Sequence, residues 1–249
     1  MDDKKYDNLN DYIKNCLVNL QNKYIQNEIK KNPTIKSENL IPQFFWGDTA
    51  NTENMKAVIL AKNPSFNIEG KSNDLKDNNN KNLASLLKDN LNIDSRTHEI
   101  RDLLFISNYN GYAPYFSKWW MEAFNELGLN DMQGIAIYNL FGFYSKNFPS
   151  KIDVKESHIN YFDEIKKRIE TQIRNSQCVF LMWISSWLLW KKILGEDIFK
   201  GKTIYVVNAR GNCNHILKNS VPMTVEELDN HFDNYSKEII NIFKNQLKD

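Results

Sequence analysis

The chain has 249 residues, a size that favours one α/β domain over two independent domains, each of which would have a thin core. Hydrophobic residues make up 41% of the sequence, but no apolar run is long enough to span a membrane, so we expect no membrane partner. The formal net charge of +1 excludes a uniformly basic nucleic-acid-binding chain, although a local basic face remains compatible with phosphate contacts.

The cysteines indicate which metal and cofactor sites to expect, and the N-terminal residues indicate the cellular location. Cys16, Cys178 and Cys213 lie far apart and form no CxxC pair, so the sequence predicts no metal site, no iron–sulfur cluster and no disulfide framework. We expect no cofactor. Met1–Asn10 mixes acidic, basic and polar side chains without an apolar stretch, which predicts a cytoplasmic protein without a signal peptide.

The first predicted element is an amphipathic helix. Apolar residues recur at helical spacing from Leu9 to Tyr24, within an N-terminal helical extension that we assign to residues 1–32. We expect this helix to pack on the domain without taking part in chemistry.

Four short apolar runs predict buried strands, each followed by a turn or by the start of a helix. They are Lys56–Lys62, Gly134–Leu140, Cys178–Ile184 and Lys202–Asn208. Strands that alternate with helices indicate a parallel sheet covered on both faces. The predicted fold class is therefore α/β, a three-layer α/β/α domain with a central four-stranded parallel sheet.

Turn and capping residues predict where two of the helices begin and end. A helix is predicted within residues 117–128, where Ser117 precedes the first turn and Gly128 closes the last. A second helix, at 187–194, should begin after Ser185 or Ser186 and end at Gly195.

The two remaining segments are a C-terminal helix and an insertion. Thr224 and Glu227 form the pattern of a capping box, which predicts a C-terminal helix within residues 224–249. Residues 67–96 are rich in Asn, Lys and Asp and have few apolar side chains, so we expect a surface insertion that follows the first predicted strand. The whole chain, 1–249, is interpreted as one domain with these additions.

Two clusters of candidate site residues lie early in the chain. Leu60–Phe66 stands at the end of the first strand, where α/β folds place ligands, although Asn-Pro is also a common turn. Tyr109–Trp120 contains six aromatic residues among twelve. In a loop with Gly and Pro, such aromatics are as compatible with a stacking surface as with core packing.

Two further clusters follow later strands. Asn139 lies near the end of the second predicted strand, and its amide can donate and accept hydrogen bonds to a base edge, or can bond to its own loop. Asn208–His215 is a polar loop that contains Arg210 and one of four histidines. His215 is the best candidate acid or hydrogen-bond donor by position, with a solvated surface histidine as the alternative.

Together these clusters resemble motifs of the uracil-DNA glycosylase superfamily. Ala61–Ser65 (Ala-Lys-Asn-Pro-Ser) resembles the family's water-positioning motif Gly-x-Asn-Pro-Gly, with alanine in place of the first glycine. Phe44–Asp48 resembles the lead-in to that motif, and Trp119–Gly128 resembles a Phe-Trp…Gly helix of the family. The resemblance runs from about Pro42 to Leu217 and implies the family's fold.

The resemblance implies a role for each matching residue. Asn63 would position the attacking water, Asn139 would read the base, and His215 would stabilise the leaving base. An aromatic side chain would stack on the flipped base. The implied substrate contacts are Ala61, Lys62, Pro64, Ser65, Phe66, Tyr115, Phe116 and Asn139, and the implied DNA contacts are Arg210, Asn212, Asn214 and Leu217.

The implied activity is that of a monofunctional DNA glycosylase, expected as a monomer, with DNA as its partner. It would flip uracil or a modified pyrimidine out of DNA and hydrolyse the N-glycosidic bond, leaving an abasic site. A bulky base such as glucosylated hydroxymethylcytosine would connect it to defence against phage. Two other hypotheses remain open: a binding module of the same fold without catalysis, and an enzyme that acts on free nucleosides.

Overall fold

The structure, a computed structural model, describes residues 12, 44–49, 51–62, 134–142, 152–207 and 220–232. Six strands of these segments form one sheet in the order β1-β3-β2-β4-β5-β6. The strands are β1 (Phe45–Gly47), β2 (Ala57–Ala61), β3 (Ile135–Asn139), β4 (Cys178–Met182), β5 (Ile204–Val207) and β6 (Val221–Met223). The α/β class is confirmed, with a mixed sheet and helices.

The four predicted strands are β2, β3, β4 and β5, and they run parallel to one another. The prediction that the sheet has four strands, all parallel, is wrong. The three-residue strand β1 pairs antiparallel with β3, and β6 pairs antiparallel with β5. Both added strands are too short to show an alternating pattern in the sequence, and β6 contains Pro222, which normally argues against a strand.

The central strands of the sheet are apolar because both faces of the sheet are buried. Every residue of β2 and β3 is buried, including Asn139 at 5% exposure. Parallel strands covered on both sides lack the polar alternation of half-exposed strands, which explains the continuous apolar runs in the sequence.

One face of the sheet packs against the described helices in a single core. The helices are α1 (His158–Tyr161), α2 (Asp163–Asn175), α3 (Trp187–Leu194) and α4, which covers residues 225–232. In α2, Ile165, Ile169 and Ile173 recur every four residues and face this core. The second helical layer of the three-layer prediction lies outside the described residues.

The predicted bounds of α3 are confirmed. It ends at Gly195, whose φ of +83° is a conformation that glycine adopts without strain. Ser186 is the N-cap residue of α3, as predicted, but its side chain makes no capping hydrogen bond. The Ser186 hydroxyl donates instead to the carbonyls of Met182 and Trp183, at 3.0 and 2.7 Å.

The predicted capping box at α4 is confirmed. The Thr224 backbone N–H donates to Glu227 Oε2 at 2.7 Å, and the Glu227 N–H donates to Thr224 Oγ1 at 3.2 Å. Leu228, one residue into the helix after the box, is fully buried. The box thus fixes the helix start that brings Leu228 into the core.

Most of the other predicted segments fall outside the described residues: the insertion at 67–96, the helix at 117–128 and the C-terminal helix beyond residue 232. Of the N-terminal extension the structure describes Tyr12 alone. Its ring is buried and lies 5.1 Å from the ring of Tyr161 and 5.5 Å from that of Phe162. This residue therefore packs on α1, as expected for a packing segment.

A buried glutamine joins α2 to the sheet. Gln172 Nε2 donates to the carbonyls of Asp48, Thr49 and Asn51, in the connection between β1 and β2. Its Oε1 accepts from the Tyr138 hydroxyl of β3 at 2.6 Å. This contact set, which we call the Gln172 clamp, fixes β1, β2 and β3 relative to α2.

Candidate functional site at the carboxyl edge of the sheet

The connections that follow two neighbouring parallel strands, β2 and β4, lead to opposite sides of the sheet. The chain passes from β2 to β3 on one side and from β4 to β5 on the other. In open α/β sheets, ligands bind in the crevice outside the carboxyl ends of two such strands. The candidate site is therefore at the ends of β2, β3 and β4.

Three of the site residues predicted from the sequence are described, and all three lie at this edge. Ala61 is the last residue of β2, Lys62 follows it, and Asn139 is the last residue of β3. The other predicted site residues lie outside the described residues. They are Asn63, Pro64, Ser65, Phe66, Tyr115, Phe116, Arg210, Asn212, Asn214, His215 and Leu217.

Ala61 and Asn139 are direct neighbours across β2 and β3. Their Cα atoms are paired in register, so the two side chains point to the same face of the sheet. The main chain continues this contact beyond the strands, because the Leu140 N–H donates to the Ala61 carbonyl at 2.9 Å and the Phe141 N–H to that of Lys62 at 2.8 Å. The first residue of the Ala61–Ser65 motif is thus held beside a buried amide.

Lys62 connects the ends of β2 and β4. Its Nζ donates to Ser185 Oγ at 2.6 Å, which bridges the crevice between the two strands. The side chain is half-buried, and this burial lowers the pKa of its ammonium group below the usual value. A desolvated cation at this position is suited to an anionic ligand group.

Trp183 is a candidate that the sequence analysis missed. The predicted strand Cys178–Ile184 is too long: β4 ends at Met182, and Trp183 leaves it with φ of +69° and ψ of 116°. Positive φ is rare for a bulky side chain and is a mark of local strain. The indole is 37% exposed, whereas Trp187 and Trp190 are fully buried.

Hydrogen bonds hold the Trp183 backbone in this conformation. Its N–H donates to the Val207 carbonyl at 2.9 Å, and its carbonyl accepts from the Ser186 N–H at 2.8 Å. The backbone that carries this exposed side chain is therefore fixed at the carboxyl edge by β5 on one side and by the turn into α3 on the other.

His158 lies beside the end of β3, where the preceding Ser157 hydroxyl donates to the Leu140 carbonyl at 2.5 Å. From its charged and helical surroundings in the sequence we expect an ordinary histidine, yet it is fully buried. Its ring is 4.5 Å from that of Phe44, and neither ring nitrogen has a hydrogen-bond partner in the part of the chain that is described. Burial lowers the pKa of the imidazole to about 3, so His158 is neutral at pH 7.

Comparison with protein-family models, with curated proteins and with solved structures finds no match for this chain. Within the described segments, no group of three His, Cys, Asp or Glu side chains is placed to hold a metal ion. Nor is any helix of those segments both long and apolar enough to cross a membrane. The chemistry of the edge residues is therefore the basis for a functional hypothesis.

Proposed function

We propose that the protein is a monofunctional DNA glycosylase with a three-layer fold of the uracil-DNA glycosylase type. The observation that carries the proposal is the register of Ala61 with Asn139 at the carboxyl edge. It brings Ala61, the first residue of the stretch that resembles the water-positioning motif, and Asn139, the proposed base-reading residue, to adjacent strand ends beside the crevice where α/β sheets bind ligands. The parallel alignment of β2, β3, β4 and β5 is consistent with that fold.

In this proposal the buried Asn139 amide recognises the edge of a base that has been flipped out of DNA. An amide presents a donor and an acceptor, so it can hydrogen-bond to the edge of a pyrimidine. Asn139 is 5% exposed, so a ligand that bonds to its side chain is largely removed from water. This favours recognition of one pyrimidine edge over others.

The chemical step in the proposal is hydrolysis of the N-glycosidic bond. Asn63, two residues after Ala61, orients a water through its amide oxygen, and His215 stabilises the departing base. Because the sugar develops oxocarbenium character, positioning the water and stabilising the leaving group are the main requirements. The products are a free base and an abasic site, and the substrate is uracil or a modified pyrimidine in DNA.

The test is mass-spectrometric detection of bases released from normal DNA, uracil-containing DNA and DNA with glucosylated hydroxymethylcytosine. We expect release from one of the last two, and a rate lower by about 100-fold in Asn63→Ala and in Asn139→Ala, a loss typical of removing one preorganised group. Asn230→Ala is the matched control, because Asn230 is an exposed residue of α4. Release from glucosylated DNA would support a role in defence against phage.

A DNA-binding module without catalysis is the second candidate, favoured by the exposed Trp183 and the half-buried Lys62 ammonium group at the same edge of the sheet. An aromatic surface and a cation bind nucleic acid without any bond cleavage. Absence of base release from all three DNAs, together with measurable DNA binding, would contradict the glycosylase proposal and establish this alternative.

A further inference from the structure

Three tryptophans close together in the sequence have different surroundings. Trp187 and Trp190 are fully buried in the core around α3, and Trp187 Nε1 donates to Asp229 Oδ1 at 2.8 Å. Trp183 is 37% exposed and has a backbone conformation that bulky residues rarely adopt. Neither core packing nor backbone preference accounts for a tryptophan at position 183.

The position of Trp183 at the carboxyl edge of the sheet explains better why a tryptophan stands there. The residue follows the carboxyl end of β4, one of the two strands that border the crevice, and Ser185, two residues later, accepts the hydrogen bond from Lys62 Nζ. An exposed tryptophan that follows β4 and an ammonium group that reaches from the end of β2 to Ser185 therefore both lie at the crevice between these strands. Strained residues that persist in a fold concentrate at ligand-binding positions, where the surrounding bonds hold them.

We propose that Trp183 and Lys62 together bind one unstacked nucleotide of a DNA strand. The base stacks on the exposed indole, and the ammonium group of Lys62 contacts the phosphate, exchanging its bond to Ser185 for one to a phosphate oxygen. This inference rests on the proposed function in that it assigns DNA to the same edge of the sheet. It adds a stacking residue that lies outside the motifs Ala61–Ser65 and Asn208–His215.

A single-stranded partner follows from the stacking geometry. In a duplex both faces of a base are covered by its neighbours, so an indole fixed on the protein has access only to a base that is already unstacked or has been extruded. The site therefore takes a nucleotide from single-stranded DNA, or one next to a flipped position.

The experiment is fluorescence anisotropy with a labelled single-stranded oligonucleotide, across a series of salt concentrations. Trp183→Leu is expected to weaken binding by about 5- to 150-fold, the range for losing one base–aromatic stack, while Trp183→Phe stays within about threefold of the wild type. Lys62→Gln is expected to lower the slope of log affinity against log salt by about 0.7, which corresponds to one phosphate contact on a single strand.

Two controls match these variants. Tyr161→Leu removes an aromatic side chain of similar exposure, 39%, that lies on α1, and Lys200→Gln removes an exposed lysine that is ion-paired with Asp197 at 2.6 Å. Neither should change the affinity or the salt slope.

A further test variant is Trp183→Gly. Glycine suits the positive φ at this position, so a loss of binding in this variant cannot be attributed to an unfavourable backbone.

The outcomes separate the two proposals. If Trp183→Leu and Trp183→Gly bind like the wild type, or if the wild type does not bind the oligonucleotide, the inference is overturned even where base release is observed. If binding depends on Trp183 and Lys62 but no DNA releases a base, the glycosylase proposal fails and the nucleotide site stands.

Discussion

At the scale of single residues, Trp183 gives the clearest test of backbone strain. Its φ of +69° disfavours every side chain with a Cβ atom, at a cost of about 1–3 kcal/mol. We therefore expect Trp183→Gly to be more stable than Trp183→Ala by about 1 kcal/mol, measured by chemical denaturation. Both variants lose nearly the same indole packing, so the comparison isolates the backbone.

The expected order of stability of the glycine and alanine variants at position 183 is the reverse of the usual order. In helices and strands alanine is more stable than glycine by about 0.5–1 kcal/mol, because glycine loses more chain entropy on folding. The same pair of substitutions at Leu188, an exposed residue inside α3, should show this usual order. Equal or greater stability of Trp183→Ala would mean that the backbone there is not strained.

His158 predicts how stability depends on pH. The folded protein holds the imidazole neutral, with its pKa lowered to about 3 by burial, while the unfolded chain takes up a proton near the ordinary value of 6.5. The unfolded state therefore binds more protons between these two pH values. The contribution of His158 therefore lowers the free energy of unfolding as the pH falls from about 6.5 toward 3, by up to about 1.4 kcal/mol per pH unit.

Substitution of His158 by phenylalanine should remove this dependence. The ring keeps its contact with Phe44, and no unpaired polar atom remains, so we expect His158→Phe to be at least as stable as the wild type at pH 7. Denaturation curves from pH 7 to pH 4 should be flatter for this variant. A denaturation profile of His158→Phe that depends on pH in the same way as that of the wild type would contradict the prediction.

At the scale of elements, the Gln172 clamp should be the main polar connection between α2 and the neighbouring strands. Gln172→Met would leave the Tyr138 hydroxyl and the carbonyls of Asp48, Thr49 and Asn51 without their partner in a buried region. We expect the free energy of unfolding to drop by about 3 kcal/mol, since each unsatisfied buried group costs about 1–3 kcal/mol. Chemical denaturation measures the loss.

The Gln172 clamp also predicts that the effects of substitutions at Tyr138 and Gln172 on the free energy of unfolding are coupled. Tyr138→Phe should cost less than Gln172→Met, and the double variant should cost less than the sum of the two, because the second change finds the shared hydrogen bond already lost. Gln177→Met, at an exposed position shortly after α2, is the matched control and should have little effect. Additive effects at Tyr138 and Gln172 would show that the hydrogen bond does not couple them.

Element ends were predictable where a local residue sets the conformation. The capping box of Thr224 and Glu227 and the positive φ at Gly195 depend on a few adjacent residues, so the sequence contains the whole signal. The strands β1 and β6 depend on pairing with distant segments, such as Phe45 with Tyr138, and have three residues each. No local periodicity encodes such pairing.

At the scale of the whole molecule, the parallel core of the sheet and the edge that carries the candidate site followed from four apolar runs. Each run lacks polar alternation, which indicates burial on both faces, and the residues at the carboxyl ends of the strands then fall at one edge, as Ala61, Lys62 and Asn139 do. The exposure of Trp183 did not follow, because it depends on β4 ending at Met182 rather than at Ile184. The predicted roles of Asn63 and His215 remain hypotheses for the base-release experiment.

The proline in β6 has a consequence for how copies of the chain meet. Among the strands that the structure describes, β6 is the outermost one next to β5, and its central residue, Pro222, pairs with Tyr205 and has no N–H group. A free sheet edge normally offers a row of hydrogen-bond donors and acceptors to a strand of another molecule, which promotes edge-to-edge aggregation. Along this border the row is interrupted at its middle, so growth of a continuous intermolecular sheet is blocked there by a missing donor.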